Sequence, residues 1–246
     1  MRFLQKTKAM IVVASALLLT GFEVVAQDTT KSVVDFSVGA DLYSRYLWRG
    51  FQNGHAPAIQ PTLKATYKNL SVGAWGSVQF SDLPGGSLPE TDLFATYTLP
   101  KGFSITVNDY FISGDEYTFG KYSDYSKTGL HQLEGYLSWA GTKKLPLTLS
   151  VGYSFYGAKY STSAKANMAG SFYTELDYAI KNLTVVVAGG DKYYTQTIKD
   201  DYSIVNVGFK IVKNVVVTDK FTLPITGQIM YNPNSNHLYY TVGFSF

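Results

Sequence analysis

From Val34 onward, hydrophobic side chains fall on every second position of the chain. Val34, Phe36, Val38, Ala40 and Leu42 alternate with Asp35, Ser37, Gly39 and Asp41. Period two is strand spacing, because successive side chains of an extended chain point to opposite faces. The same alternation returns through eleven more segments. Examples are Ile59 to Tyr67, Val72 to Phe80, Leu147 to Phe155, Val205 to Ile211 and Tyr240 to Phe246. The connections between the twelve segments differ in length by side. Lys68-Asn69, Pro100-Lys101-Gly102, Gly141 to Pro146, Lys181-Asn182 and Thr218 to Lys220 are short. Gly50 to His55, Ser81 to Pro89, Ser113 to Gly129, Gly157 to Gly170 and Asp191 to Asp201 are longer, and Asn232 to Asn236 is the exception. An even number of alternating segments with turns on one side and loops on the other predicts an all-β fold. The expected form is a transmembrane antiparallel β-barrel of about twelve strands, with short periplasmic turns and long extracellular loops.

The N-terminus reads differently. Arg2, Lys6 and Lys8 precede an apolar run from Met10 to Thr20, and Val24-Val25-Ala26 stands before Gln27. This is the layout of a cleaved secretory signal peptide, expected over 1–26, with the barrel over 27–246. The apolar run is about half of the roughly 20 residues a spanning helix needs. Later runs such as Val185 to Gly190 are shorter still, so a membrane-embedded mature chain must span as a closed barrel. The expected location is the outer membrane of a Gram-negative bacterium, with outer-membrane lipid as its surroundings.

Composition narrows the chemistry. Charged residues make up 16% of the chain against about 25% in ordinary globular domains. Aromatics reach 15%, which favours strands. A net charge of +3, falling to +1 without the leader, is too small to suggest nucleic-acid binding. Without cysteine there is no disulfide, thiolate metal site, Cys nucleophile or lipid-carrying N-terminus. Outward-facing aromatics near segment ends are expected to form interfacial girdles: Tyr46, Trp48, Tyr67, Tyr97, Phe103, Trp139, Tyr178, Phe221 and Tyr240. Terminal Phe246 resembles the signal read by barrel-assembly machinery, an expected partner. Asp109 breaks the pattern by falling on the lipid face, so a bulge or an exit from the bilayer is expected there.

The same parity assigns a lumen. Arg45 and Arg49 on the first strand, Lys64 on the second and Lys210 on the tenth point inward. So do Asp92 on the fourth, Glu134 on the sixth, and Glu175 and Asp177 on the eighth. In a closed twelve-strand barrel the first strand lies opposite the seventh. Arg45 and Arg49 should therefore face Glu134, Glu175 and Asp177, Lys64 should face the eighth strand, and Lys210 the fourth. Opposed charges can line a water-filled constriction, as pores use them, or close the bore as ion pairs. Trp75, Phe94, Tyr110, Tyr136, Tyr156 and Tyr173 also point inward, either as a stacking lane or as filling.

Residues 44–52 read Ser-Arg-Tyr-Leu-Trp-Arg-Gly-Phe-Gln. Ile59-Gln60-Pro61, Gly73-Ala74-Trp75-Gly76-Ser77 and Glu90-Thr91-Asp92-Leu93 follow. This succession resembles the TorF-type porin family of outer-membrane barrels. The resemblance rests on Ser44, Tyr46, Arg49 and Gly50, on Gly73, Trp75, Gly76 and Ser77, and on Glu90 and Asp92. It implies a porin-like barrel and carries no catalytic or binding residue with it.

The expected function is an outer-membrane channel for passive or weakly selective diffusion of small hydrophilic solutes. Arg45, Arg49, Asp92, Glu134, Glu175 and Asp177 are the expected constriction. A closed structural or surface-binding barrel acting through its outer loops is the first alternative, and a lipid-modifying enzyme the second. No cofactor or metal is expected. His55, His131 and His237 all fall at outer ends, and neither G-x-S-x-G nor H-E-x-x-H occurs. The acidic and Tyr-rich segment Ser113 to Gly129 lacks the EF-hand pattern and is expected to be a solvated loop, folded over the mouth.

Overall fold

The computed structural model describes residues 33–80, 89–112, 118–157, 168–195 and 201–246. The expected signal segment and the central parts of four outer loops lie outside the described residues. In chain order the strands are β1 (Asp35–Tyr43), β2 (Tyr46–Trp48), β3 (Phe51–Asn53), β4 (Ala58–Tyr67), β5 (Leu70–Gln79), β6 (Glu90–Thr98) and β7 (Phe103–Ile112). They continue with β8 (His131–Trp139), β9 (Leu147–Gly157), β10 (Phe172–Ile180), β11 (Leu183–Gly190), β12 (Ser203–Thr218), β13 (Phe221–Asn232) and β14 (His237–Ser245). Twelve of them close a barrel in the order β1-β14-β13-β12-β11-β10-β9-β8-β7-β6-β5-β4. β2 and β3 form a separate two-stranded hairpin. Every barrel pair is antiparallel, including the closing pair that sets Asp41 opposite Ser245. The Phe246 amide and carbonyl both bond to Ala40, at 2.9 and 2.7 Å.

The barrel is inverted relative to a water-soluble protein. Val38, Leu63, Val72, Leu93, Ile105, Leu137, Leu149, Ile211, Ile229 and Val242 stand exposed on the outer wall. Gln60, Thr62, Ser77, Glu90, Asp92, Thr96, Thr106, Ser138, Ser150 and Asp177 are buried inside it. Interior hydroxyls satisfy one another across strands, as Thr96 and Thr106 do at 2.8 Å and Ser138 and Ser150 at 2.9 Å. A wall with apolar side chains out and polar side chains in is the arrangement a lipid-embedded barrel requires. Tyr67, Tyr97, Phe103, Tyr178 and Phe221 stand exposed beside the short turns, as the girdle expectation has them.

Three local readings need correction, and the choice left open at Asp109 is resolved. Tyr46 and Trp48 do not belong to a girdle. β1 ends at Tyr43, the chain bends at Ser44 and Arg45, and Tyr46 is buried inside the barrel. Tyr156 does not point inward. A bulge between Leu133 and Glu134 pairs Leu133 with Tyr156 but Glu134 with Ser154, which turns Tyr156 to the outer wall. Asp109 needs no bulge of its own, because its register between Leu93 and Leu133 is regular. It sits at the long-loop end of β7, where the loop carrying α1 (Phe119–Tyr122) covers it. The Tyr125 hydroxyl donates to its carboxylate at 2.6 Å, and His131 Nδ1 lies 2.7 Å away. Tyr125 stacks on His131 with ring centroids 3.8 Å apart. The described part of this loop thus packs on the outer wall at the rim, not across the mouth.

Candidate functional site

The site begins with the bend after β1. Thr241 on β14 accepts from the Arg45 amide at 3.2 Å and donates to the Arg45 carbonyl at 2.9 Å. Ser44 Oγ accepts from the Val242 amide at 3.1 Å. These bonds hold the departing chain against the wall while β2 turns into the bore. β2 and β3 are joined at Arg49 and Gly50, whose φ angles are +48° and +84°. Positive φ at both central residues is the hairpin turn whose twist matches its strands. Glycine suits the second position, and an arginine in the first is uncommon.

The hairpin crosses the lumen. At its root Tyr46 packs on Trp75 of β5, centroids 5.6 Å apart, and bonds to the Glu90 side chain on β6. At its tip Gly50 abuts β12 so closely that a Cβ there would lie 2.0 Å from the Val205 carbonyl oxygen. Asn232 Nδ2 on β13 donates to the Gly50 carbonyl at 3.1 Å. Arg49 closes the arrangement. Its Nη1 and Nη2 donate to the two carboxylate oxygens of Glu134 on β8 at 2.6 and 2.8 Å. The Glu134 side chain is 1% exposed, so this is a bidentate pair removed from water. Tyr110 and Tyr194 also donate to Glu134, at 2.7 and 3.2 Å. The guanidinium lies 4.5 to 5.6 Å from the ring centres of Tyr173, Trp48, Tyr136 and Tyr194. Gly152 makes the room, since a Cβ there would meet Glu134 Oε1 at 2.6 Å.

On the short-turn side of the hairpin lies a cavity of about 240 Å³. Arg45, Arg49, Asp92, Glu175, Asp177 and Lys210 all line it, together with Trp75, Phe94, Tyr110 and Tyr136. The expected opposition of Arg49 and Glu134 is therefore present, but on a turn inside the bore and not on a wall strand. Arg45 does not join Glu134 or Asp177 among the described residues; its Nη1 donates to the Ser44 carbonyl at 2.8 Å. Glu175 accepts from the Tyr173 hydroxyl at 2.6 Å. Lys210 lies within electrostatic range of Asp177, Asp41 and Glu175. Lys64 points inward beside Ser37 and Gly73 but is absent from the cavity lining, so it does not meet the eighth-segment acids as expected. Asp92 and Lys210 stand on β6 and β12, which are diametrically opposed in the strand order.

Sequence reasoning missed the hairpin and three interior groups, Asp41, Glu90 and Asn206. Asp41 and Glu90 sit on the inward parity and could have been read from it. Asn206 is fully buried in the cavity wall, and neither its amide oxygen nor its nitrogen has a partner among the described residues. The histidines lie at outer ends as expected. His131 engages Asp109 and the Tyr122 carbonyl oxygen, the latter at 2.6 Å, so neither ring nitrogen is left for a serine hydroxyl.

No family model and no curated protein matches this chain. Solved structures do, at the level of fold. A variant of the Rh. blastica porin aligns at a TM-score of 0.37 and 9% identity over 77% of this chain and 55% of its own. Wzi aligns at a TM-score of 0.36 and 11% identity over 86% of this chain and 56% of its own. Wzi is described as an outer-membrane protein involved in group 1 capsule assembly in Escherichia coli and as a carbohydrate-binding β-barrel. The chain spans just over half the length of either.

Proposed function

We propose that this chain is an outer-membrane channel that passes small hydrophilic solutes through a lumen narrowed by its own β2–β3 hairpin. The observation that carries the reading is the hairpin pinned across the bore by the buried Arg49–Glu134 pair, with a cavity lined by charged and aromatic side chains on its short-turn side. Such a barrel is a restricted passage and not a wide general pore. The exposed apolar band supports a place in lipid, and a closed barrel meets the demand that every backbone group be bonded there. Export through residues 1–26 and recognition of Phe246 by assembly machinery belong to the same reading. So does kinship with the TorF-type porins. The segments that carry that resemblance supply the hairpin, its Trp75 seat and the Glu90–Asp92 wall.

The filled bore at the level of Arg49 favours a second reading, a closed barrel whose work is done by its outer loops. Single-channel recording in a planar bilayer separates the two. Wild type should give small discrete steps, and Arg49→Ala with Glu134→Gln should give larger or longer ones as the hairpin is released. Silence from both proteins, with folding and insertion shown independently, would overturn the channel and leave the closed barrel.

A further inference from the structure

We infer that the cavity beneath the hairpin is a binding site for an organic cation, with Asp92 as its counter-charge. The inference names the solute class of the channel proposed above and rests on that reading for its biological use. The binding itself can be measured without current.

Asp92 lies in one register row between Trp75 on β5 and Tyr110 on β7. Side chains directly opposed on neighbouring strands have Cβ atoms about 5 Å apart, so both rings flank the carboxylate. Tyr46 comes down from the hairpin onto Trp75, and all four residues line the same cavity. Asp92 is 7% exposed. Among the described residues its hydrogen bond is from the Phe111 amide to Oδ1, at 3.3 Å. No basic group among the described residues pairs with it, and its charged neighbours, Glu90 and Asp109, are acidic. A buried carboxylate without a cation is costly. Among the described residues, its neighbour Glu90 is bonded by the Tyr46 hydroxyl.

What would complete this wall is a positive charge with apolar surroundings. Aromatic faces attract cations through their quadrupole, and recognition of quaternary ammonium groups uses rings of this kind. A neutral sugar would stack on the rings and leave the charge unmet. On this wall an anion would meet the Asp92 carboxylate, while Arg45 and Lys210 stand elsewhere in the lining beside Glu175 and Asp177. Across the bore, the amide of Asn206, without a partner among the described residues, offers a donor and an acceptor to the polar end of the same solute.

The test uses the full mature barrel folded in detergent, with choline chloride as the probe in isothermal titration calorimetry. Glucose and sodium acetate serve as neutral and anionic comparisons. Choline should bind saturably, and glucose and acetate should not. Asp92→Asn, isosteric and uncharged, should weaken choline by about tenfold or more. Trp75→Leu should weaken it as well, and Trp75→Phe should restore part of the loss. Circular dichroism and thermal melting establish that each variant is folded. Absence of choline binding, equal binding by folded Asp92→Asn, or preference for glucose would each overturn the inference. The channel reading fails separately. A silent bilayer with intact choline binding removes the channel and keeps the site, whereas conduction without choline binding does the reverse.

Discussion

Glu134 is the most heavily used side chain of the interior, and its pair with Arg49 permits a worked energetic prediction. The carboxylate accepts two guanidinium bonds and two tyrosine hydroxyls while almost wholly removed from water. Arg49→Met keeps an unbranched, mostly apolar stem but removes the guanidinium, and leaves the carboxylate with the two hydroxyls alone. Removing one partner of a buried pair costs roughly 3–5 kcal/mol, since the other charge is stranded. Glu134→Gln leaves a guanidinium still surrounded by four rings, whose faces partly replace the lost charge. Its cost should be nearer the roughly 1.5–3 kcal/mol of a charged hydrogen bond. The double variant strands no charge, so it should be less unstable than the two costs added, with a coupling of about 2 kcal/mol or more. The assay is urea unfolding in detergent micelles, followed by tryptophan fluorescence, for the four members of the cycle. Single costs that add within about 0.5 kcal/mol would mean that the two residues do not interact, and the pinned hairpin would be refuted.

Two further expectations concern the hairpin tip and the rim. Gly50→Ala should destabilise the fold by about 1 kcal/mol or more, because φ is +84° and the new methyl meets the Val205 carbonyl; a melting temperature equal to wild type would contradict the close approach. Asp109→Ala removes the acceptor shared by His131 and Tyr125, so the covering loop should loosen and trypsin should cut at Lys121 or Lys127 about tenfold faster. Unchanged cleavage would show that the loop does not depend on that contact.

The barrel was legible because its two signals are physical necessities of the fold. Alternation follows from the pleat, and the segregation of turns from loops follows from strands that run up and down. The hairpin was not legible, because Tyr46 and Trp48 fall on the same parity as the apolar positions of β1, with Ser44 the one polar residue on that parity between them and Leu42. What ends the strand is Thr241 gripping Arg45 from nearly two hundred residues away, a contact no local pattern contains. Arg49-Gly50 also lacks the Asn-Gly or Asp-Gly signature that marks such turns. The pairing of Arg49 with Glu134 was nonetheless reached from strand count alone. β8 does lie across the bore from the bend, and a long side chain on a turn spans what a wall residue could not. Tyr156 shows the opposite case. Its parity was sound up to one extra residue, and a single bulge reverses the face of everything beyond it.

The charges of the interior also decide which ions such a passage would favour. Arg49 and Glu134 cancel each other. What remains is Asp41, Glu90, Asp92, Glu175 and Asp177 against Arg45, Lys64 and Lys210 among the described interior residues of this region. An excess of carboxylates in a narrow bore attracts cations and repels anions, as acidic rings do in cation channels. In a potassium chloride gradient the reversal potential should therefore report potassium over chloride. Lys210→Met should raise that preference, and Asp177→Asn should lower it. The preference should fade as ionic strength rises, because the screening length drops from about 30 Å at 0.01 M to about 3 Å at 1 M. Chloride selectivity at low salt would contradict the charge assignment, because among the described residues the inward basic groups left to produce it, Arg45, Lys64 and Lys210, are outnumbered and Lys210 sits among three acids.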